Sequence, residues 1–277
     1  MRGLQSLLNQ LEKGRAVHIS ILDLRGILTS DKTRIVGKSM IHSRNFCDKA
    51  KSTSKGYRLC LKCKSLATQK AKNSKVPFDG LCAYGIHEAV FPVVINENVV
   101  AIVFVGNAVT DPELTRKKID RATAFSGVCR ESLSSGLDEC EVLNSAEDLY
   151  EIGEIVSDYL KLLTETTAIT GSGEHWMIPV IKQYAKENLN YSISIEDIAQ
   201  LYQKNPQYIG RLFKQTVGVS FSEYCNSLRL SKALSYLKNS DRKIIDIAYE
   251  CGFNSVTYFN KIFKSTYGVS PSEYKKQ

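Results

Sequence analysis

Two nearly identical stretches lie close to the carboxyl end of this 277-residue chain. The first, FKQTVGVSFSEY, begins at Phe213, and the second, FKSTYGVSPSEY, begins at Phe263. Each follows a DIA triplet, at Asp197 and at Asp246, so the copies lie 49 residues apart at the front and 50 at the back. In each copy, DIA opens a short amphipathic helix, a break follows, and a second helix ends in FK. The repeat therefore predicts two successive helix–turn–helix units.

The break inside each predicted unit contains residues that favour a turn. Asn205 can cap the next helix, and Pro206 fits its first position, where a backbone N–H is not needed. In the second copy Gly252 marks the turn, and Asn254 or Ser255 supplies the cap. The residues predicted to be buried are Ile198, Ile209, Leu212 and Phe213 in the first unit, and Ile247, Phe253, Phe259, Ile262 and Phe263 in the second.

Between the two units, SEYCNSLRLSKALSYLKNS predicts one continuous helix. At roughly 25 Å, this rod can hold two recognition helices near successive major grooves, which are about 34 Å apart. The chain carries a net charge of +8. From Trp176 onward there are 14 Lys and Arg against 8 Asp and Glu, so most of the excess lies in this part. This distribution indicates a polyanionic partner.

The segment DIAYECGFNSVTYFNKIFKSTYGVSPSEY resembles the signature of the AraC/XylS family of bacterial transcription regulators. The resemblance extends over about Ile178 to Lys276. It implies an all-α DNA-binding domain at residues 176–277, with helix–turn–helix units at 195–216 and 244–266. It also implies a regulator, expected to be an activator, whose partners are double-stranded DNA and RNA polymerase.

The outward faces of the two recognition helices are expected to read DNA. Arg211 can grip guanine O6 and N7 with two hydrogen bonds, and Asn260 can pair with adenine. Lys214 and Lys264 lie one turn further on and suit phosphate contacts or solvation of the helix end. The complete predicted set is Gln207, Gly210, Arg211 and Lys214 in the first unit, and Val256, Thr257, Asn260, Lys261 and Lys264 in the second.

Four cysteines, Cys47, Cys60, Cys63 and Cys82, lie in one N-terminal segment. Together they can form a tetrahedral thiolate site for zinc, with His87 as a substitute ligand, although a structural role for His87 is favoured. They can instead line an organic-ligand pocket. A redox switch through Cys60 and Cys63 is a third interpretation. It is considered because neighbouring basic residues favour the thiolate form.

The motifs FC, RLCLKC, LCAYGIHEAVFPVVI and VGNAV resemble the PocR sensory domain over roughly Ser6 to Leu163. This resemblance implies a PAS-like α/β sensor that binds a small organic effector. The main functional prediction is therefore a DNA-binding regulator controlled by that effector. The alternative prediction is a metal- or redox-responsive regulator that senses through the four cysteines.

The N-terminal sequence itself favours an α+β domain on an antiparallel sheet. A helix is predicted from Leu4 to Leu11, and AVHISILDLRGILTS predicts a hairpin. AVFPVVINENVVAIVFVGNAV predicts two strands joined by a turn at Asn96–Asn98, with helices following from Pro112.

Heptad spacing on a helix of roughly residues 144–164 allows two interpretations. The apolar seam packs on its own domain, or it forms a homodimer interface. Residues 1–165 are assigned to the sensor and dimerisation domain, and 166–175, which include TAITGSGEH, to a linker. The seam residues are Leu149, Ile152, Val156, Tyr159 and Leu163.

Other function classes find little support in the sequence. The apolar run from Val99 to Val105 is far too short to span a bilayer, and the N-terminus lacks the apolar stretch of a signal peptide. A cytoplasmic protein is therefore expected. No dinucleotide-binding glycine pattern, nucleophile elbow or zinc-protease motif occurs, so the chain is not expected to be an enzyme.

Overall fold

The computed structural model describes residues 3–35, 44–165 and 176–276. The chain divides into two compact units, one formed by Met1–Val180 with Gln200–Lys204 and the other by Ile181–Ala199 with Asn205–Gln277. The predicted linker at residues 166–175 lies outside the described residues. In the part of the chain that is described, no helix combines the length and the apolar character needed to cross a membrane.

The first unit contains a five-stranded sheet with the order β1-β4-β3-β2, and β5 pairs with the end of β4. All pairings are antiparallel except the one between β4 and β5. Asn96 and Glu97 have positive φ angles of 47° and 62°, which suit a tight hairpin turn, so the predicted β3–β4 turn is confirmed. The strands are β1 (His18–Asp23), β2 (Phe78–Leu81), β3 (His87–Ile95), β4 (Asn98–Val109) and β5 (Glu141–Val142).

The hairpin predicted in AVHISILDLRGILTS is wrong. β1 pairs with β4, with Ser20 opposite Phe104, and the chain then enters a 3-10 turn at Ile27–Thr29. The Asp23 carboxylate accepts hydrogen bonds from the backbone N–H groups of Gly26 at 2.7 Å and Leu28 at 3.0 Å. These bonds satisfy N–H groups that a returning strand would otherwise have paired, so the local sequence favours the turn.

Helices cover both faces of the sheet. Ile19, Val103 and Phe91 point to one face and share a core with the first and sixth helices. Lys64 of the third helix contacts Phe104, which lies on the opposite face because side chains alternate along a strand. The helices are α1 (Leu4–Leu11), α2 (Asn45–Ala50), α3 (Ser54–Ser74), α4 (Pro112–Ser126), α5 (Arg130–Leu137) and α6 (Glu147–Glu165).

The heptad seam of α6 packs within its own unit. Four of its five predicted residues are at most 3% exposed and belong to the core beneath the sheet, and Tyr159 packs against that core. The assignment of this seam to dimerisation is therefore corrected, because its apolar area is already covered by the chain itself. The corrected residues are Leu149, Ile152, Val156, Tyr159 and Leu163.

The described chain from Met177 onward is helical. Its connecting rod, α10, spans 19 residues and begins with a capping box in which Ser220 and Glu223 bond each other's backbone N–H groups. Of the residues predicted to be buried in the two helix pairs, Leu212 and Ile262 are only half-buried. The helices are α7 (Met177–Glu187), α8 (Ile195–Tyr202), α9 (Pro206–Val217), α10 (Phe221–Asn239), α11 (Ile244–Glu250), α12 (Val256–Tyr267) and α13 (Pro271–Tyr274).

Candidate nucleic-acid interface and candidate ligand pocket

Helix α9 begins at a well-capped turn. The Asn205 side chain accepts hydrogen bonds from the N–H groups of Gln207 at 2.9 Å and Tyr208 at 3.1 Å, and Pro206 occupies the first helical position, as predicted. Ile209 and Phe213 are fully buried. The opposite side of the helix is therefore turned to solvent, with Gln207, Arg211 and Lys214 exposed and Gly210 half-buried.

Helix α12 repeats this arrangement with one difference in its cap. Ser255 is the capping residue and accepts a hydrogen bond from the N–H of Tyr258 at 3.3 Å. Asn254, the other predicted candidate, donates to Ser192 Oγ at 2.6 Å. Val256 is half-buried against the core of the second helix pair, which limits its use as a base contact. The exposed predicted residues are Thr257, Asn260, Lys261 and Lys264.

Two tyrosines on these outward faces were missed by the sequence reasoning. Tyr208 is 38% exposed and Tyr258 is 45% exposed, although both are large apolar side chains. They occupy matching positions fifty residues apart, and each directly precedes a buried residue, Ile209 or Phe259. Alignment of the two copies would have found them. Asn226 of α10 donates to the Tyr258 hydroxyl at 3.0 Å, so that ring is held in place.

A junction near the middle of α10 joins the segment before the first helix pair to the turn of the second. Arg229 donates to the carbonyl oxygens of Leu189 at 3.2 Å and Tyr191 at 2.9 Å. Lys232 donates to the Glu250 carbonyl at 2.9 Å. Gly252 has φ = 88°, and a Cβ there would lie 1.9 Å from the Leu189 oxygen, so only glycine fits this turn.

The four N-terminal cysteines lie around one small cavity in the first unit. Cys47 comes from α2, Cys60 and Cys63 from α3, and Cys82 from the segment after β2. The cavity volume is about 40 Å³, which leaves room for roughly three water-sized groups. The structure thus brings all four predicted residues together, as the pocket-lining interpretation requires.

A charged pair lines the same cavity. Lys64 Nζ lies 2.7 Å from Glu88 Oε1, and both side chains are at most 16% exposed. Lys64 Nζ also lies 3.4 Å from the centre of the Phe104 ring, a cation–π contact. The cavity therefore has a mostly apolar, thiol-rich wall and one edge that can both donate and accept hydrogen bonds.

Burial determines the protonation of the thiols. It raises the pKa of Cys82 to about 12, raises the pKa of Cys47 well above its usual value, and also raises the pKa of Cys60. Lys64 opposes this effect at Cys60, but the loss of solvation is larger. The argument that nearby basic residues favour a Cys60 thiolate is therefore corrected, because the thiol is neutral near pH 7.

The zinc interpretation has no matching geometry in the described ranges. Among residues 3–35, 44–165 and 176–276, no group of three or more His, Cys, Asp or Glu side chains is arranged to hold a metal ion. His87, considered as a substitute ligand, bonds Asp79 Oδ2 through Nε2 at 2.5 Å and Thr110 Oγ1 through Nδ1 at 2.8 Å. These bonds give His87 the structural role that the sequence favoured.

Comparison with known proteins assigns both parts of the chain. A family model described as a sensory domain found in PocR matches residues 1–167, and a helix-turn-helix domain model matches residues 198–277. The chain is 34% identical over 108 residues to the uncharacterized HTH-type transcriptional regulator YijO of Escherichia coli (strain K12), covering 39% of this chain and 38% of YijO. It is 30% identical over 95 residues to the regulatory protein PocR of Salmonella typhimurium, covering 34% of this chain and 31% of PocR.

The matched segments thus span only 38% of YijO and 31% of PocR. Among solved structures, the chain is similar to the C-terminal domain of the response regulator AraT from Geobacillus stearothermophilus, with 29% identity and a TM-score of 0.35. That match covers 36% of this chain and 84% of the AraT domain. Because the sensory-domain model matches more than half of its residues, the chain belongs to the family of proteins with a PocR sensory domain, and it carries a helix-turn-helix domain at residues 198–277.

Proposed function

We propose that the protein is a sequence-specific DNA-binding transcription regulator whose two helix pairs, α8–α9 and α11–α12, act as two helix–turn–helix readers. One observation carries this proposal: the same capped helix with a buried apolar side and an exposed polar side occurs twice, fifty residues apart. Arg211 on the first helix and Asn260 on the second are exposed and have the side chains best suited to guanine and adenine.

The thiol-lined cavity of the first unit is the proposed effector site. The cavity volume of about 40 Å³ suits a ligand of only a few heavy atoms. An apolar part of the ligand would contact the cysteine side chains, and one hydrogen-bonding end would face Lys64 and Glu88. A neutral ligand fits best, since the charges of Lys64 and Glu88 already balance each other at 2.7 Å.

Other parts of the proposal rest on family resemblance. The antiparallel sheet with helices on both faces supports a PAS-like sensor. A cytoplasmic activator that works as a homodimer and contacts RNA polymerase is the corresponding biological role. Metal sensing through Cys47, Cys60, Cys63 and Cys82 is not favoured, because the described residues contain no group of three or more side chains arranged to hold a metal ion. Redox sensing is not favoured either, because burial raises the pKa of Cys60.

The test is selection of binding sites from random duplex DNA with the full-length chain, followed by titration of variants on the selected site. Arg211→Ala should cost about 1–3 kcal/mol on that site and relax base choice at one position. Lys264→Ala should weaken binding to all DNA sequences alike. It should also lower the slope of log affinity against log salt concentration by about one. Lys117→Ala, an exposed lysine of the first unit, is the control and should change neither. A wild-type chain that enriches no sequence would refute the proposal.

A further inference from the structure

A second groove lies in the first unit between α6 and an open edge of the sheet. Strand β2 pairs with β3 only from His87 to Val90, so residues 91–95 of β3 have no partner strand on that side among the described residues. Helix α6 crosses this segment closely. At Gly153, an added Cβ would lie 2.1 Å from the Phe91 ring, so the helix can reach the strand only with glycine there.

The groove beyond this contact is large enough for a metabolite. Its volume is about 510 Å³, within the usual range of small-molecule sites. One part of its lining is apolar and consists of Phe91, Pro92 and Val94. Pro92 has no N–H to offer along the open strand edge, which disfavours an added peptide strand and leaves room for a small ligand.

A buried hydroxyl without a partner lines the groove. Ser157 of α6 is 4% exposed, and its Oγ has no hydrogen-bond partner among the residues that the structure describes. A hydroxyl in a helix can bond the carbonyl four residues earlier, as Thr164 does with Leu160 at 2.8 Å in the same helix. A buried polar group left unpaired destabilises a fold, so Ser157 is a group for which a ligand can supply the missing partner.

The rim of the groove carries one uncompensated charge of each sign. Lys161 pairs with Asp158 at 2.9 Å. No ion pair within the described ranges involves Lys75 or Glu154, which also line the groove. A ligand that bears both an anionic and a cationic group would neutralise both side chains at once.

We propose that this groove binds a free α-amino acid with an apolar side chain. The carboxylate of the ligand meets Lys75, and its ammonium meets Glu154. Its polar end provides the hydrogen-bond partner that Ser157 lacks, and its side chain lies against Pro92 and Val94 at the open strand edge. Because the groove involves α6 and β3 and none of the four cysteines, this site is independent of the thiol-lined cavity.

The experiment is thermal unfolding of the full-length chain with L-leucine, L-valine, L-isoleucine, L-methionine or L-phenylalanine at millimolar concentration. At least one should raise Tm by an amount that grows with its concentration. For leucine, 4-methylpentanoate lacks the ammonium and 3-methylbutylamine lacks the carboxylate, so neither should reproduce the shift. Absence of any shift across the panel, or equal shifts with the single-charge analogues, would overturn the site.

Variants of the lining residues test whether the groove binds a ligand or whether these residues affect only the stability of the fold. Lys75→Met and Glu154→Gln should each weaken binding about tenfold. Ser157→Ala should raise Tm of the free protein, because an unpaired buried hydroxyl is removed, and yet reduce the ligand-induced shift. Ser20→Ala is the matched control, since Ser20 is 3% exposed and lies on the other face of the sheet, with a hydroxyl that has no partner in the described ranges. It should leave the ligand-induced shift unchanged, and a Ser157→Ala variant that binds like wild type would contradict the proposal.

Discussion

At the scale of single residues, solvent access decides which of the eight cysteines can react. Cys129 is exposed, whereas Cys47, Cys140, Cys225 and Cys251 are buried. Burial also raises the pKa of Cys82, to about 12. Since only the thiolate is a strong nucleophile, chemically identical side chains should differ widely in reactivity.

We therefore expect iodoacetamide at pH 8 to modify Cys129 first and to reach Cys47 and Cys82 slowly. Mass spectrometry of peptides after timed labelling gives the order, and Cys129→Ser should remove the fast phase. Labelling of Cys82 should continue to accelerate as the pH rises toward 12, because its thiolate fraction keeps growing. Rapid labelling of both Cys60 and Cys63 at pH 8 would revive the redox interpretation.

At the scale of secondary-structure elements, α6 shows how a heptad pattern is used. Ile152 is 3% exposed and belongs to the core beneath the sheet, whereas Ile155, three residues later, is 50% exposed. Both are isoleucines in the same helix, so a substitution at each separates the effect of burial from that of helix propensity.

Ile152→Lys should destabilise the first unit by more than about 3 kcal/mol, since it removes core packing and buries an unpaired charge. Ile155→Lys should change the unfolding free energy by less than about 1 kcal/mol. Urea unfolding followed by circular dichroism measures both. If Ile152→Lys remains as stable as wild type and only loses oligomeric mass in sedimentation, the seam is a dimer interface after all.

At the scale of the whole molecule, the proposed function requires two readers to act on one DNA duplex. The rod α10 carries both, and the junction at Arg229 ties the segment before the first pair to the turn of the second. Arg229 is half-covered by these contacts, and burial lowers its pKa from the usual value, although a guanidinium stays charged near pH 7. This second connection is expected to fix the distance between the two recognition helices.

Arg229→Met retains the apolar stem near Phe253 and removes the hydrogen bonds to Leu189 and Tyr191. Wild type should lose about tenfold or more in affinity when two base pairs are inserted between the half-sites, because both readers must stay in register. The variant should bind the original site more weakly than wild type does. Its affinity should then fall only a few-fold when the two base pairs are inserted. Lys238→Met, an exposed position on the same helix, is the control and should keep the wild-type spacing requirement.

These titrations also separate two possible failures. If wild type binds no selected site, the proposed DNA-binding function fails, whatever Arg229 does. A second outcome is that wild type binds while the Arg229→Met variant is less stable and still loses affinity on insertion as wild type does. In that case Arg229 only stabilises the fold.

Local chemistry let the sequence alone predict the two helix pairs, the rod between them and the β3–β4 hairpin. Caps such as Asn205, the periodicity of α10 and the Asn96 turn act over a few residues, so they can be read without knowing the fold. The similarity of the two copies also allowed the exposed faces of α9 and α12 to be predicted, because helix periodicity is local as well.

Contacts between distant residues were decided only by the tertiary structure. β1 turns away at Asp23 and pairs with β4, more than seventy residues later, and the α6 seam is covered by the sheet of its own chain. The raised pKa of Cys82 comes from its burial among elements that are far apart in sequence. The groove at Ser157 exists because β2 stops pairing at Val90 while α6 continues past it, and no short stretch of sequence encodes that relation.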